Sequence, residues 1–237
     1  MKYAIAIAVI TTATLAAQAV PSPPQGRGRG GSPPPMPEPL AMADHIGFES
    51  IFDGSSMKGW DGDPAFWRAA DGALTGRSSI ENPVKQNTFL IWRGGTPKDF
   101  ELKLEYRLSA TNSGVQIRSV PVEGGEARGC QADAGAGWWG KLYEEGARGL
   151  LFPKKGQAFD GDKFIKKEDW NVYEILVVGN KIRTAINGNL CTDLEDEKIA
   201  PKGRIGLQVH AGGPMEVRFR NFQLELNPKF ELKTVKQ

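Results

Sequence analysis

The chain is short of the residues that build metal and thiol chemistry. Among its 237 residues there are two cysteines and two histidines. His45 and His210 have no neighbouring ligand set, so nothing here reads as a structural zinc site. Scattered carboxylates around one histidine neither require nor exclude a divalent metal. No cofactor motif is evident. Cys130 and Cys191 are too few for a disulfide framework, and two options stay open: a pair formed in an oxidising compartment, or two buried thiols. Charge of one sign is also missing. Thirty basic residues stand against 28 acidic ones, for a net +2. That balance gives no reason to expect nucleic acid or any other polyanion as a partner. Amphipathic helices of three turns are absent, and so is any repeat of blade-like period, which discounts a propeller. Beyond the N-terminus no apolar run is long enough to span a membrane.

The N-terminus has its own grammar. Residues 1–19 read as a secretory signal peptide: Lys2 is the positive end, Ala4 to Ala16 a weakly apolar middle, and Ala17-Gln18-Ala19 the cleavage site. A retained anchor is the alternative. Residues 20–43, with PSPPQGRGRGGSPPPMPEP, are too rich in proline and glycine to pack and read as a linker. The expected product is a secreted or periplasmic protein. One domain over residues 44–227 follows, then a short tail, 228–237.

That domain reads as strands almost throughout. Phe100, Leu102, Leu104 and Tyr106 alternate with Glu101, Lys103, Glu105 and Arg107, which is the clearest period-2 pattern. Asp71-Gly72, Gly179-Asn180 and Asn187-Gly188 each sit between strand-like runs and predict hairpins. Residues 146–167 look irregular, either a loop over a site or a surface excursion. About a dozen short strands with glycine turns predict an all-β sandwich of two antiparallel sheets, a jelly roll with one curved face. Trp60, Trp67, Trp92 and Trp170 are expected in its core.

The most informative stretch is GCQADAGAGWWGKLY, residues 129–143. On a strand, Gln131 and Asp133 share one face and Cys130 and Ala132 the other. The glycines then end the strand and put Trp138, Trp139 and Tyr143 in a loop at its end. An amide beside a carboxylate, rimmed by indoles, suits the wall of a sugar site. The plain structural alternative is a solvated strand face with an aromatic loop packed on its own domain.

Five blocks in order, FESIFDGSSMKGW, DFELKLEYRL with NSGVQIR, GCQADAGAGWWGKLYEE, EDWNVYEILVVGNKIRTAINGNL and GRIGLQVHAGGPMEVRFRNFQLE, together resemble the 3-keto-disaccharide hydrolase family. The resemblance implies a concanavalin-like β-sandwich from a glycan-degrading bacterium, acting on glycosides oxidised at C3. It also implies a partner oxidoreductase upstream that makes the ketone. Such a ketone acidifies the C2 proton, so a base can remove it. The enolate then expels the C1 group, and water adds to the enone. Ordinary glycosidases instead flank the bond with two carboxylates, and on this sandwich they carry an E-x-D-x-x-E strand, which is absent here.

Given that fold, the polar-face positions become candidates. His210 is the first choice for the base, because an unperturbed imidazole titrates near neutrality. Asp133 would orient it or act as the base itself. Arg118 offers a fixed positive fork for the enolate, or a salt bridge to Glu105 or Glu101. Gln116, Gln131, Gln208 and Glu105 would read hydroxyls, Trp138, Trp139 and Tyr143 would stack on a pyranose, and Lys141 would donate to a substrate oxygen. A carbohydrate-binding module or lectin on the same sandwich is the main competing reading, and an unmodified-glycoside hydrolase a weaker one.

Overall fold

The computed structural model describes residues 47–109, 112–122 and 126–235. The signal peptide and linker expected from the sequence lie outside the described residues. Fifteen strands and one 3-10 turn, Asp162–Phe164, make up the regular structure described.

Two antiparallel sheets are stacked face to face. Sheet A runs β13 (Asn189–Glu195), β12 (Lys181–Ile186), β11 (Asn171–Val178), β6 (Phe100–Ser109), β15 (Met215–Leu226), β4 (Ala73–Ser78) and β3 (Trp67–Ala70). The short β1 (Glu49–Ser50) also pairs with β15. Sheet B runs β10 (Gly149–Phe152), β9 (Leu142–Glu145), β8 (Ala127–Ala134), β7 (Ser113–Pro121), β14 (Arg204–Val209), β5 (Thr88–Trp92) and β2 (Trp60–Asp61). This is the expected all-β sandwich.

Alternation along the strands sets the inner layer. Leu102, Leu104 and Tyr106 from β6 meet Val115 and Ile117 from β7, Ala132 from β8, and Leu207 and Val209 from β14. The intervening residues of β7, β8 and β14 are thereby turned to the outer face of sheet B. The three predicted hairpins form. Asp71 and Gly72 take φ of 49° and 74°, and Asn187 and Gly188 take 51° and 78°, the paired left-handed values that a two-residue turn of matching twist requires. Gly179 takes φ 57° between β11 and β12.

Several expectations need correction. Residues 146–167 are not wholly irregular, because Gly149–Phe152 adds an edge strand to sheet B. Tyr143 lies within β9 rather than in a loop. Trp60, Trp67 and Trp92 are core, but Trp170 is half-buried, with the Arg220 guanidinium 3.9 Å above its ring. Cys130 and Cys191 are free and buried, and burial pushes both thiols up to about 12, which leaves them inert. The tail beyond residue 227 contacts sheet A. Lys233 and Thr234 donate backbone N–H groups to Glu174 on the outer face of sheet A, at 2.6 and 3.0 Å.

Candidate active site

The outer face of sheet B carries a hollow of about 440 Å³, counting its open mouth, lined by Asn87, Asn112, Gln131, Asp133, Trp138, Tyr143, Glu145, Gln208 and His210. Gln131 and Tyr143 are register partners on β8 and β9, and Gln116 faces Gln131 from β7. Residues paired across an antiparallel ladder share a face, so these side chains assemble without any loop having to fold back.

A chain of amides fixes the floor. The Ser119 hydroxyl donates to Gln116 Oε1, and Gln116 Nε2 donates to Gln131 Oε1 at 3.0 Å. Gln131 Nε2 then donates to Asp133 Oδ1 at 2.8 Å and to Gln208 Oε1 at 3.3 Å. The direction of this chain follows from its end. A carboxylate oxygen accepts, so Gln131 must present its NH2 to Asp133, and each amide behind it is turned accordingly. Two polar atoms of the site are left over: among the described residues, Asp133 Oδ2 and Gln208 Nε2 have no hydrogen-bond partner. Asp133 is 2% exposed and Gln208 fully buried. Such orphans are costly in a plain core, and a ligand in the hollow would satisfy them.

Gly114 makes the amide chain possible. It is the partner of Asp133 on β7, and a Cβ there would lie 2.6 Å from both Cγ and Cδ of Gln131. Only a glycine lets the Gln131 side chain lie across β7 to reach Gln208.

Burial lifts the Asp133 carboxyl to about 7. The Gln131 hydrogen bond and the charge of Lys141 pull it down, while Glu145 pushes it up, and desolvation outweighs them all. The backbone of Asp133 is held from both sides, its N–H donating to Lys141 O at 2.9 Å and its carbonyl accepting the Tyr173 hydroxyl at 3.1 Å. At the end of β14, His210 Nδ1 faces the carbonyl of Ala211. A carbonyl only accepts, so Nδ1 carries the proton and Nε2 of the neutral ring keeps its lone pair. Asn87 Oδ1 accepts the N–H of Ala211 at 2.9 Å and pins this corner. Burial raises the Glu145 carboxyl, and a second proton on the His210 ring would offset part of that rise.

The structure brings His210, Asp133, Gln131, Gln208, Trp138 and Tyr143 to one hollow, with Gln116 directly behind Gln131. Trp138 and Tyr143 meet edge-to-face at 6.1 Å on its rim, and Lys141 Nζ lies 5.2 Å from the Trp138 ring centroid rather than lining the hollow. Three candidates lie elsewhere. Arg118 takes a left-handed φ of 48° at a bulge in β7. Its fork is spent on the carbonyls of Lys98, Gly179 and Ala200 and on Asp99, so it is no enolate stabiliser. Glu105 belongs to sheet A and pairs with Arg220 at 2.7 Å. Trp139 turns inward and stacks on Tyr106 at 5.2 Å.

Asn87, Asn112 and Glu145 were missed. Glu145 has the same parity as Tyr143 and could have been found had β9 been read as a strand. Asn87 and Asn112 sit just before strands, where a sequence shows only a turn. Among the described residues, no three His, Cys, Asp or Glu side chains converge as a metal site would need.

A sheet face bearing amides, an acid and an imidazole beside two aromatic side chains suits a carbohydrate-related β-sandwich. More particularly, the chain belongs to the family described as the 3-keto-alpha-glucoside-1,2-lyase-like domain, whose model matches residues 47–225. Solved structures share the fold. A candidate glycosyl hydrolase from Parabacteroides distasonis is 22% identical, with a TM-score of 0.57 over 76% of this chain and 98% of its own. A carbohydrate-binding module from Bacillus subtilis is 18% identical, with a TM-score of 0.53 over 70% of this chain and 95% of its own. Among curated proteins, none matches the chain.

Proposed function

We propose that this chain is an exported enzyme that cleaves 3-keto-glycosides by elimination and hydration. One observation carries the reading: a buried donor, Gln208 Nε2, and a buried carboxyl oxygen, Asp133 Oδ2, are both unpartnered at a hollow that also holds His210. With its carboxyl lifted to about 7, Asp133 is substantially protonated at neutral pH. A single ketone oxygen then satisfies both orphans by accepting from Gln208 N–H and Asp133 O–H. This is an oxyanion hole for the enolate, with a neutral carboxylic acid as one of its donors.

In that pose His210 Nε2 removes the C2 proton. The C2–H electron pair forms the enolate, and negative charge gathers on the oxygen held by Asp133 and Gln208. As the C3 carbonyl re-forms, the electrons move to make C1=C2, the C1–O bond breaks, and the departing oxygen takes the proton that His210 carries, which returns the imidazole to its neutral form. Water then adds its oxygen to C1 and a proton to C2. The sum is hydrolysis without an oxocarbenium-like transition state. Trp138 and Tyr143 would stack on the sugar ring.

A sugar-binding module is the competing reading, since a hydroxyl that accepts from Gln208 and donates to ionised Asp133 would also satisfy both orphans. The test is incubation with a 3-keto-disaccharide, comparing wild type, His210→Ala and Asp133→Ala. Turnover lost in the variants with sugar binding retained supports the enzyme. Binding without turnover in the wild type points to the module. Cleavage of an unoxidised chromogenic glucoside would instead mark an ordinary glycosidase.

A further inference from the structure

The outer face of sheet B does not end at the sugar hollow. Following register partners from β9, one row reads Tyr143, Gln131, Gln116, Gly206, Ile91, Asp61. A second row takes in Gln208, whose partner on β5 is Phe89. Adjacent strands lie about 4.8 Å apart, so Phe89 is roughly one strand from Gln208, a separation close to the width of a sugar ring. Gly206 keeps the floor low between the two ends, for a Cβ there would stand 2.8 Å from Ile91 Cδ1 and 3.4 Å from Gln116 Cβ.

At the far end of this groove lies a second hollow of about 780 Å³, counting its open mouth. Phe89 and Ile91 form its floor and, with Ala127, make a small apolar cluster separate from the main core. Among the described residues its charged lining is Asp61, Asp63 and Glu126, with no basic side chain. Arg93 neutralises Asp61 at 2.9 Å, which leaves Asp63 and Glu126 to set the sign. The two hollows share a field: the charge of Glu126 helps hold the Glu145 carboxyl of the first hollow above its ordinary value.

From this continuity we infer that the second hollow is the leaving-group subsite, taking an uncharged aglycone with an apolar face and discriminating against anionic ones. An aromatic ring, or the C–H face of a second pyranose, would lie on Phe89 and Ile91. Its hydroxyls would donate to the carboxylates at the rim. A uronate, sulfate or phosphate there would face like charge, with the neighbouring Arg93 already paired to Asp61. The inference rests on the 3-keto-glycoside reading of the first hollow.

The experiment compares methyl, 4-carbamoylphenyl and 4-carboxyphenyl 3-keto-glucosides as substrates of wild type, Glu126→Lys and Ile91→Ala. Ratios of kcat/KM within each protein cancel differences in folding yield, and comparing those ratios between proteins cancels intrinsic leaving-group reactivity. Glu126→Lys should raise the carboxyphenyl-to-carbamoylphenyl ratio by about fivefold or more, an effect that added salt shrinks. Ile91→Ala should lower the carbamoylphenyl-to-methyl ratio by roughly threefold to tenfold. Ratios unchanged in both variants would overturn the subsite while leaving the activity standing. No turnover of even the methyl glycoside by wild type would remove the function, and the subsite with it.

Discussion

The two outer faces of the sandwich both bury carboxyl groups, and they do so for different ends. On sheet A, Glu101 is fully buried under the C-terminal segment, flanked by Lys103 at 3.5 Å and Lys233 at 3.6 Å. Its neighbours Glu174 and Glu225 are engaged by Thr234 and Lys233. On sheet B, Asp133 is buried just as deeply and, like Glu101, has an oxygen with no hydrogen-bond partner among the described residues, but no ion pair among those residues compensates it and it lines a hollow. Polarity surrounded by charges from its own chain ties down a terminus. Polarity left open toward a cavity awaits a ligand. Burial and a raised carboxyl occur on both faces, so neither identifies a site alone; the unfilled neighbour does.

The largest expected effect belongs to His210. His210→Ala should lower turnover of a 3-keto-disaccharide by about a thousandfold, the usual scale for a general base, while sugar binding persists. Asp133 separates two roles by the sign of its pH dependence. As a proton-bearing donor it loses function as pH rises through about 7, so the wild type should show an alkaline limb there. Asp133→Asn keeps a donor, should retain more activity than Asp133→Ala, and should lack that limb. A limb of the opposite sense that Asp133→Asn abolishes and His210→Ala leaves in place would make Asp133 the base.

Next in size is Gly114→Ala. The added Cβ displaces Gln131 from its place over β7, so Gln208 and Asp133 lose their shared donor. An oxyanion-hole defect of about tenfold to a hundredfold in kcat is expected, with KM less affected. A far-ultraviolet spectrum and thermal melt matching wild type would keep the result from being read as misfolding.

The smallest effects, in stability, sharpen the comparison between faces. Asp133 titrates near 7 in the fold against 3.8 for the free group, and Glu101 near 8 against 4.5. A raised carboxyl makes its full contribution to stability below the unfolded value and loses it as pH rises through the folded one. The windows are therefore about pH 4 to 7 for Asp133 and about 4.5 to 8 for Glu101. Asp133→Asn and Glu101→Gln should each raise the melting temperature at pH 8 by on the order of 4 °C, with the gain vanishing near pH 4. Only Asp133→Asn should change turnover. Equal turnover losses from both would collapse the distinction between a strapped face and an open one.

Much of this was legible in the sequence because strands alternate. Parity alone put Gln131 with Asp133, and Gln208 with Gln116, on outward faces, and the two-residue turns set three hairpins of the opposite sheet. Parity cannot say which sheet a strand joins, which is why Glu105 was grouped with residues on the far side of the molecule. A bulge leaves no mark either: at Arg118 the left-handed backbone breaks the alternation that would have put its fork in the site. Consecutive tryptophans in a glycine loop are similarly silent, and Trp138 and Trp139 part toward rim and core. Gly114, plain in a list of glycines, shows its purpose only once the Gln131 side chain is seen lying over it.

The most direct measurement is deuterium content at C2 of the keto-sugar released from a 3-keto-disaccharide in heavy water, read at early times against a no-enzyme control. Elimination followed by hydration places solvent deuterium at C2 in each turnover, and His210→Ala should abolish both release and label. Enzymatic release of a keto-sugar that still carries its original C2 hydrogen would contradict the mechanism.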